Sequence, residues 1–364
     1  MSSDGWSTAE MSTLFVPDSY GGFLSAPEAS ALLEDVLAGH GVFLDTHPMA
    51  DGGEGLVDVL AAHGTIELHG FEVPGADGEE VFATAARRAG SWWIESAEVI
   101  GLHQTQPGWS PMNGSSWGLG ILMQRLAQRA QGPMLIGLGG TATMDGGLGM
   151  LQALGMTALD VHGVPLPSPA TAADLEQVDK LVGTAQLPLG LFRVVADVRT
   201  PVTAAAQAFG PQKGFEPSQI ETLSSAIQNW TRVLQEHRQA QGRTPLSEEL
   251  SGGGAAGGIG FALASAVSAS IADGAAMIGR LTGLEDAIRS AKTVIIGEGR
   301  LDSTSFDGKV AGHVTALARH HKRRVIALVG TQADGQYPVD HIVEIGGMTE
   351  ADFRGAAAKV ASLL

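Results

Sequence analysis

Thr293-Val294-Ile295-Ile296-Gly297-Glu298-Gly299-Arg300-Leu301-Asp302 opens with a β-branched run and then breaks into glycines alternating with charge. A run of this kind predicts a strand buried on both faces, as in parallel sheets. The glycine-carboxylate segment predicts a tight loop. Helical periodicity follows over Val310 to His320, and a second strand over Arg324 to Val329. Strand, loop, helix and strand in that order make a βαβ unit.

The start of the chain is written in the same style. Thr13 to Val16 predicts a strand stopped by Pro17, and Ala29, Leu32, Leu33, Val36 and Leu37 mark the helix after it. Val42-Phe43-Leu44 predicts another strand, which passes through the Gly-rich loop Pro48 to Gly55 into a helix over Leu56 to Ala62. Between these parts the pattern changes. Short alternating runs at Ile66-Glu67-Leu68, Val81 to Thr84 and Trp92-Trp93-Ile94 predict antiparallel strands, with one tryptophan of the pair buried and the other facing solvent. Further strands are expected at Met134 to Leu138, Met156 to Val161 and Phe192 to Ala196. Helices are expected over Gly147 to Leu154 and Gln219 to Glu236, and Gly252 to Ala272 predicts a buried helix. The expected class is α/β: a Rossmann- or flavodoxin-like parallel-sheet domain split over 12–72 and 285–364, with a second α/β domain over 73–284 inserted in it. Residues 1–11 are expected to form a disordered N-terminal extension.

Composition narrows the function. Of 364 residues, 50 are glycine, about twice ordinary usage, and they cluster between apolar runs where the backbone must turn tightly or approach a ligand. The net charge of −17 disfavours nucleic-acid binding. With no cysteine there is no disulfide, thiolate metal site or Cys nucleophile. No signal peptide or membrane span is expected, so a cytoplasmic enzyme is the default reading.

Four loops join strands to helices and pair glycine with a carboxylate: 17–22, 51–55, 137–147 and 297–302. Backbone N–H groups hold phosphate, carboxylates hold Mg²⁺ or a hydroxyl proton, and Arg or Lys offsets charge, so the combination suits phosphoryl transfer. No P-loop motif occurs. Gly137, Gly139 and Ala142 with Asp160 fit a relaxed dinucleotide fingerprint, which keeps an NAD-binding oxidoreductase open. Gly114-Ser115-Ser116-Trp117-Gly118 matches a nucleophile elbow but follows no buried strand.

From about Leu14 to the C-terminus the chain resembles the bacterial type I glycerate kinase family. The resemblance rests on Pro17-Asp18-Ser19, Leu24-Ser25-Ala26, Asp51-Gly52-Gly53-Glu54-Gly55, Gly137 to Ala142 with Asp145-Gly146-Gly147, Phe209 to Gly214, Gly254 to Gly258, and Gly297 to Asp302 with Gly308-Lys309. It implies ATP- and Mg²⁺-dependent phosphorylation of D-glycerate, at the 2-hydroxyl, in a cleft between two α/β domains. Small-molecule substrate and nucleotide are the expected partners, and a homodimer is the expected assembly. On this resemblance Asp18 or Asp197 is the carboxylate nearest the acceptor hydroxyl, with Arg300 also catalytic. Glu298 and Asp302 are candidates for Mg²⁺. Ser19, Asp51, Gly139, Gly140, Thr141, Asp145, Lys213, Gly254, Gly257 and Lys309 are candidates for substrate or phosphate.

Four motif positions depart from the family pattern: Gly21 in place of Lys, Ile121 in place of Glu, Met144 in place of Asn, and Thr200 in place of Asn. These leave open a second reading, a catalytically weakened member that acts by ligand binding or regulation.

Overall fold

The structure is a computed structural model that describes residues 12–53, 55–64, 66–188, 190–196, 199–306 and 308–364. Asp197, Glu54 and the expected N-terminal extension over 1–11 lie outside the described residues. The chain divides into two compact units. One comprises the N-terminal part through Asp51, Asp58–His63 and Ala275–Leu364; the other comprises Gly52–Val57 and Gly64–Gly274. Boundaries drawn at 72/73 and 284/285 would cut the strand Glu67–Pro74 and the helix Leu284–Ser290. That strand is paired with Glu80–Arg88 along its whole length and cannot be shared between domains.

The first unit has five strands, all parallel, in the spatial order Leu44–Thr46, Thr13–Pro17, Thr293–Leu301, Arg324–Gln332 and His341–Glu344. Numbered by their order along the chain, the strands lie 2-1-3-4-5, the flavodoxin-like arrangement. The strand interiors are continuous apolar runs because helices cover the sheet. Phe15, Ile295, Ile326 and Leu328 pack with Leu33, Leu37 and Phe353 from the helices Ala26–Gly39 and Glu350–Ala361. Each such side chain contributes about 1.5–3 kcal/mol by leaving water. Ser25 and Glu28 form a reciprocal capping box that starts the first of these helices. Phe43, expected within a strand, lies before it and is 83% exposed. Gly41 turns the backbone at φ +75, Val42 packs on the core, and the strand starts only at Leu44.

The second unit holds a mixed six-stranded sheet. Ser270–Asp273, Phe192–Ala196, Met134–Leu138 and Ser91–Glu95 run parallel, and Glu80–Arg88 and Glu67–Pro74 extend the sheet antiparallel. Ser91–Glu95 is an interior strand, so both Trp92 and Trp93 are buried, at 2% and 5% exposure, and neither faces solvent. The strand expected near Met156 is Thr157–Leu159. It pairs with Lys180–Val182 in a separate two-stranded sheet. The stretch 252–272 is not one helix. Ala255–Ala266 is helical, Ser268 turns left-handed at φ +57, and Ser270–Asp273 joins the sheet. No helix among the described residues is long and apolar enough to cross a membrane.

Candidate active site

In an open α/β sheet with this strand order, ligands bind beyond the carboxyl ends of the strands where the order reverses. In the first unit that point lies between Thr13–Pro17 and Thr293–Leu301. The loops leaving these strands touch there, with the Asp18 N–H donating to the Gly297 carbonyl at 2.9 Å. Gly297 and Gly299 are required by this approach. A Cβ on Gly297 would lie 2.7 Å from the Tyr20 hydroxyl, and one on Gly299 would lie 3.1 Å from the Tyr20 backbone.

Three carboxyl groups converge at this switch point. Asp18 keeps an edge open to solvent but is otherwise enclosed. Burial pushes its pKa well above the ordinary value, and the charges of Asp51 and Glu298 push the same way; the Ser19 N–H, at 2.7 Å, and Lys309 pull it down. Glu298 is 8% exposed, and its Oε2 has no hydrogen-bond partner among the described residues. Burial raises its pKa to about 7 against the opposing effects of the Ser305 hydroxyl and Lys309. Lys309 stands at the N-cap of the helix Val310–His320. Asp302 and Arg300 are more open. The Arg300 side chain is 71% exposed and lies 3.8 Å from Asp302, whose Oδ1 accepts from Thr304 N–H and hydroxyl. Arg300, expected to be catalytic, therefore projects into solvent and is held by no short contact among the described residues.

A second constellation is built within the second unit. The loop after Met134–Leu138, the helix start carrying Ala256 and the turn carrying Lys213 line a pocket of about 480 Å³, with Gly139, Gly140, Thr141, Phe209, Lys213 and Ala256 among its walls. Lys213 is 6% exposed, and its ammonium donates to Thr141 Oγ1 at 3.0 Å and to the Thr143 carbonyl at 2.7 Å. Burial lowers its pKa to about 7, with Asp145 acting in the opposite direction. Gly257, at φ +69, packs so closely on the Thr143 carbonyl that any Cβ there would collide with it.

Asp145 does not face this pocket as a ligand group. It is fully buried and accepts from Ser116 N–H (2.8 Å), Ser116 hydroxyl (2.7 Å), Gly147 N–H (3.1 Å) and Gly149 N–H (3.1 Å). It pins the loop that carries Thr141 and Thr143. Ser116, the elbow-like serine, is thereby committed to Asp145 and to the Met150 N–H, at 2.9 Å. Asp160 likewise accepts from His162 and Val164 in its own turn and follows a strand outside the main sheet, so the dinucleotide geometry is absent.

Sequence reasoning missed Tyr20, Ser305 and Glu95, and it singled out Ser116 for a nucleophile elbow and not for its bonds to Asp145. Glu95, at the end of an interior strand, accepts from the Gly55 N–H at 3.0 Å and from the Val57 N–H, and so holds the glycine-rich loop at the start of the helix Leu56–Ala62. A carboxylate directly after Trp92-Trp93-Ile94 was the available signal. The departures at 121 and 144 are packing positions: Met144 is fully buried, and Ile121 packs against the core. The Thr200 carbonyl accepts from the Gly254 N–H at 2.9 Å.

A sequence model described as the glycerate kinase family matches residues 13–351. A protein of Escherichia coli named glycerate 2-kinase is 32% identical over 367 aligned positions, covering 95% of this chain and 94% of that protein. A glycerate kinase of Bacillus subtilis is 30% identical and covers 88% of this chain and 85% of its own. A solved structure from Salmonella typhimurium, described as a glycerate kinase 2, superposes with a TM-score of 0.79 at 30% identity over 97% of this chain and 98% of that one. Matched along almost all of its length in sequence and in fold, the chain belongs to the glycerate kinase family.

Proposed function

We propose that this chain transfers the γ-phosphoryl group of ATP to the 2-hydroxyl of D-glycerate, giving 2-phosphoglycerate and ADP. The observation that carries the reading is the convergence of Asp18, Asp51 and buried Glu298 at the switch point of a flavodoxin-like sheet. The bond from Pγ to the bridging oxygen of ADP breaks, and one from Pγ to the glycerate oxygen forms. Asp18 accepts the hydroxyl proton, a role suited to a carboxylate whose surroundings favour its protonated form. Lys309 offsets negative charge at the same place. Ser19 and Asp51 orient the acceptor.

Glu298 is the residue best fitted to Mg²⁺, because its Oε2 is buried beside like charges with no partner among the described residues. Asp302 would assist. Mg²⁺ is commonly held by one or two carboxylates together with substrate phosphates. Bound Mg²⁺ would supply charge neutralisation for the transferring phosphoryl group. In the second unit Gly139, Gly140, Thr141, Lys213, Gly254 and Gly257 form the phosphate-binding surface, and Asp145 positions it. An ATP-dependent enzyme of this kind belongs in the cytoplasm.

Incubation with ATP, Mg²⁺ and D-glycerate, with the product resolved by phosphorus NMR, tests the reading. 2-Phosphoglycerate is expected. Absence of product at saturating substrate rejects the active kinase in favour of the weakened binding protein, and 3-phosphoglycerate rejects the assigned position.

The pKa of Lys213 adds a pH dependence. A lysine lowered to about 7 loses its charge as pH rises through that value. ATP affinity measured by calorimetry is therefore expected to weaken about fivefold between pH 6 and pH 8.5, roughly the value of one partly screened charge pair. Lys213→Met should bind more weakly and give a flat profile. An equal slope in both proteins would remove Lys213 from phosphate binding.

A further inference from the structure

We propose that a basic cleft at the amino-terminal end of the first unit's sheet binds a small phosphate-bearing anion, with Lys322 as its positioned cation. The cleft is shallow and open to solvent, and is lined by Arg319, Lys322, Arg323, Arg324, Asp340 and His341. Arg324 and His341 open their strands, whereas Asp18 and Glu298 lie at the carboxyl ends of theirs. Arg324 is level with Thr293, five residues before Glu298 on the neighbouring parallel strand, so at about 3.3 Å per residue the cleft lies roughly 16 Å along the strands from the carboxylate cluster. It is therefore a separate site.

Two features point to an anion. The first is uncancelled charge. In a chain of net charge −17, four cations face one carboxylate here. That carboxylate, Asp340, is already occupied by Arg319 on both oxygens and by the Val325 N–H, at 2.7 Å. Arg323 and Arg324 each hold one backbone carbonyl, of Arg289 and Leu363, through a single terminal nitrogen. These bonds fix the guanidinium groups in place without neutralising them.

The second feature is backbone strain. Lys322 has φ +56 and is one of four described non-glycine residues with positive φ. It follows the cap residue His321 of the helix Val310–His320, with Lys322 N–H donating to the Arg319 carbonyl and Arg323 N–H to the Ala318 carbonyl. This is the position where helices prefer glycine. A chain with 50 glycines places a lysine there instead. Compensation of the helix dipole accounts for Arg319 and His320 in the last turn but does not require a strained lysine beyond it.

Calorimetric titration of the full chain with inorganic pyrophosphate tests the proposal, independently of any kinase activity. Lys322→Gly is expected to raise Tm, since it relieves the left-handed strain, and yet to weaken one pyrophosphate site at least fivefold. Lys322→Arg should retain that site, and kcat with KM for ATP should be unchanged in both variants. The proposal is overturned if Lys322→Gly binds pyrophosphate as the parent does, or if the parent shows no site sensitive to position 322. It is also overturned if Lys322→Gly lowers Tm, which would make the lysine a purely structural cap.

Discussion

Asp18→Asn is expected to lower kcat by about 10³-fold, within the range typical of losing a positioned general base. ATP affinity should stay within about twofold, because the amide keeps the size of the side chain and the phosphate-binding surface assigned above is carried by other residues. The Ser19 N–H that donates to Asp18 Oδ1 can donate equally to the amide oxygen, so the loop geometry survives. The amide cannot take a proton from an attacking hydroxyl. Asn also removes a carboxyl whose charge is disfavoured by burial and by its neighbours Asp51 and Glu298, so a small gain in Tm should accompany the loss of turnover. Steady-state kinetics paired with calorimetric ATP binding checks the split. A kcat within tenfold of the parent would move the base elsewhere, and Asp51 would be the next residue to test.

That Asp18 and Glu298 meet is the part of the site that local sequence patterns could not supply. They are separated by most of the chain, and only the 2-1-3-4-5 strand order brings the loop after the first strand against the loop after the third. The strands themselves were legible. Thr293 to Ile296 is β-branched throughout because both of its faces are covered, and Val310–His320 begins and ends where its periodicity does. Phe43 and Trp93 were misread for different reasons: where a strand starts depends on the turn before it, and exposure depends on what packs over a strand, and alternation alone encodes neither. Phe43 precedes its strand, whereas Trp93 sits in an interior strand covered on both faces. The role of Asp145 was hidden differently. Within an Asp-Gly-Gly motif a carboxylate that binds a ligand and one that binds its own loop look identical, and only the four converging donors distinguish them.

Those donors make Asp145→Ala the substitution with the largest expected effect on stability. Removing the carboxylate leaves the N–H groups of Ser116, Gly147 and Gly149 and the Ser116 hydroxyl without their acceptor in a site water does not reach. Unsatisfied buried donors cost about 1–3 kcal/mol each, and partial relaxation brings the expected total to roughly 3–5 kcal/mol. At about 2–4 °C per kcal/mol for a domain of this size, Tm should fall by about 10 °C or more. Asp145→Asn should do less damage, since the oxygen that remains can accept from Ser116 and Gly149, while its amide faces only the Gly147 N–H. A functional consequence follows through Lys213, whose pKa Asp145 holds up against burial. In Asp145→Asn the lysine should lose its proton at still lower pH, moving the fall in ATP affinity to more acidic values. Thermal denaturation together with pH-dependent calorimetry separates the two effects. An Asp145→Ala protein that melts within about 2 °C of the parent would mean that the loop is held by its glycine packing and not by the carboxylate. An unshifted pH profile in Asp145→Asn would mean that Asp145 does not set the charge of Lys213.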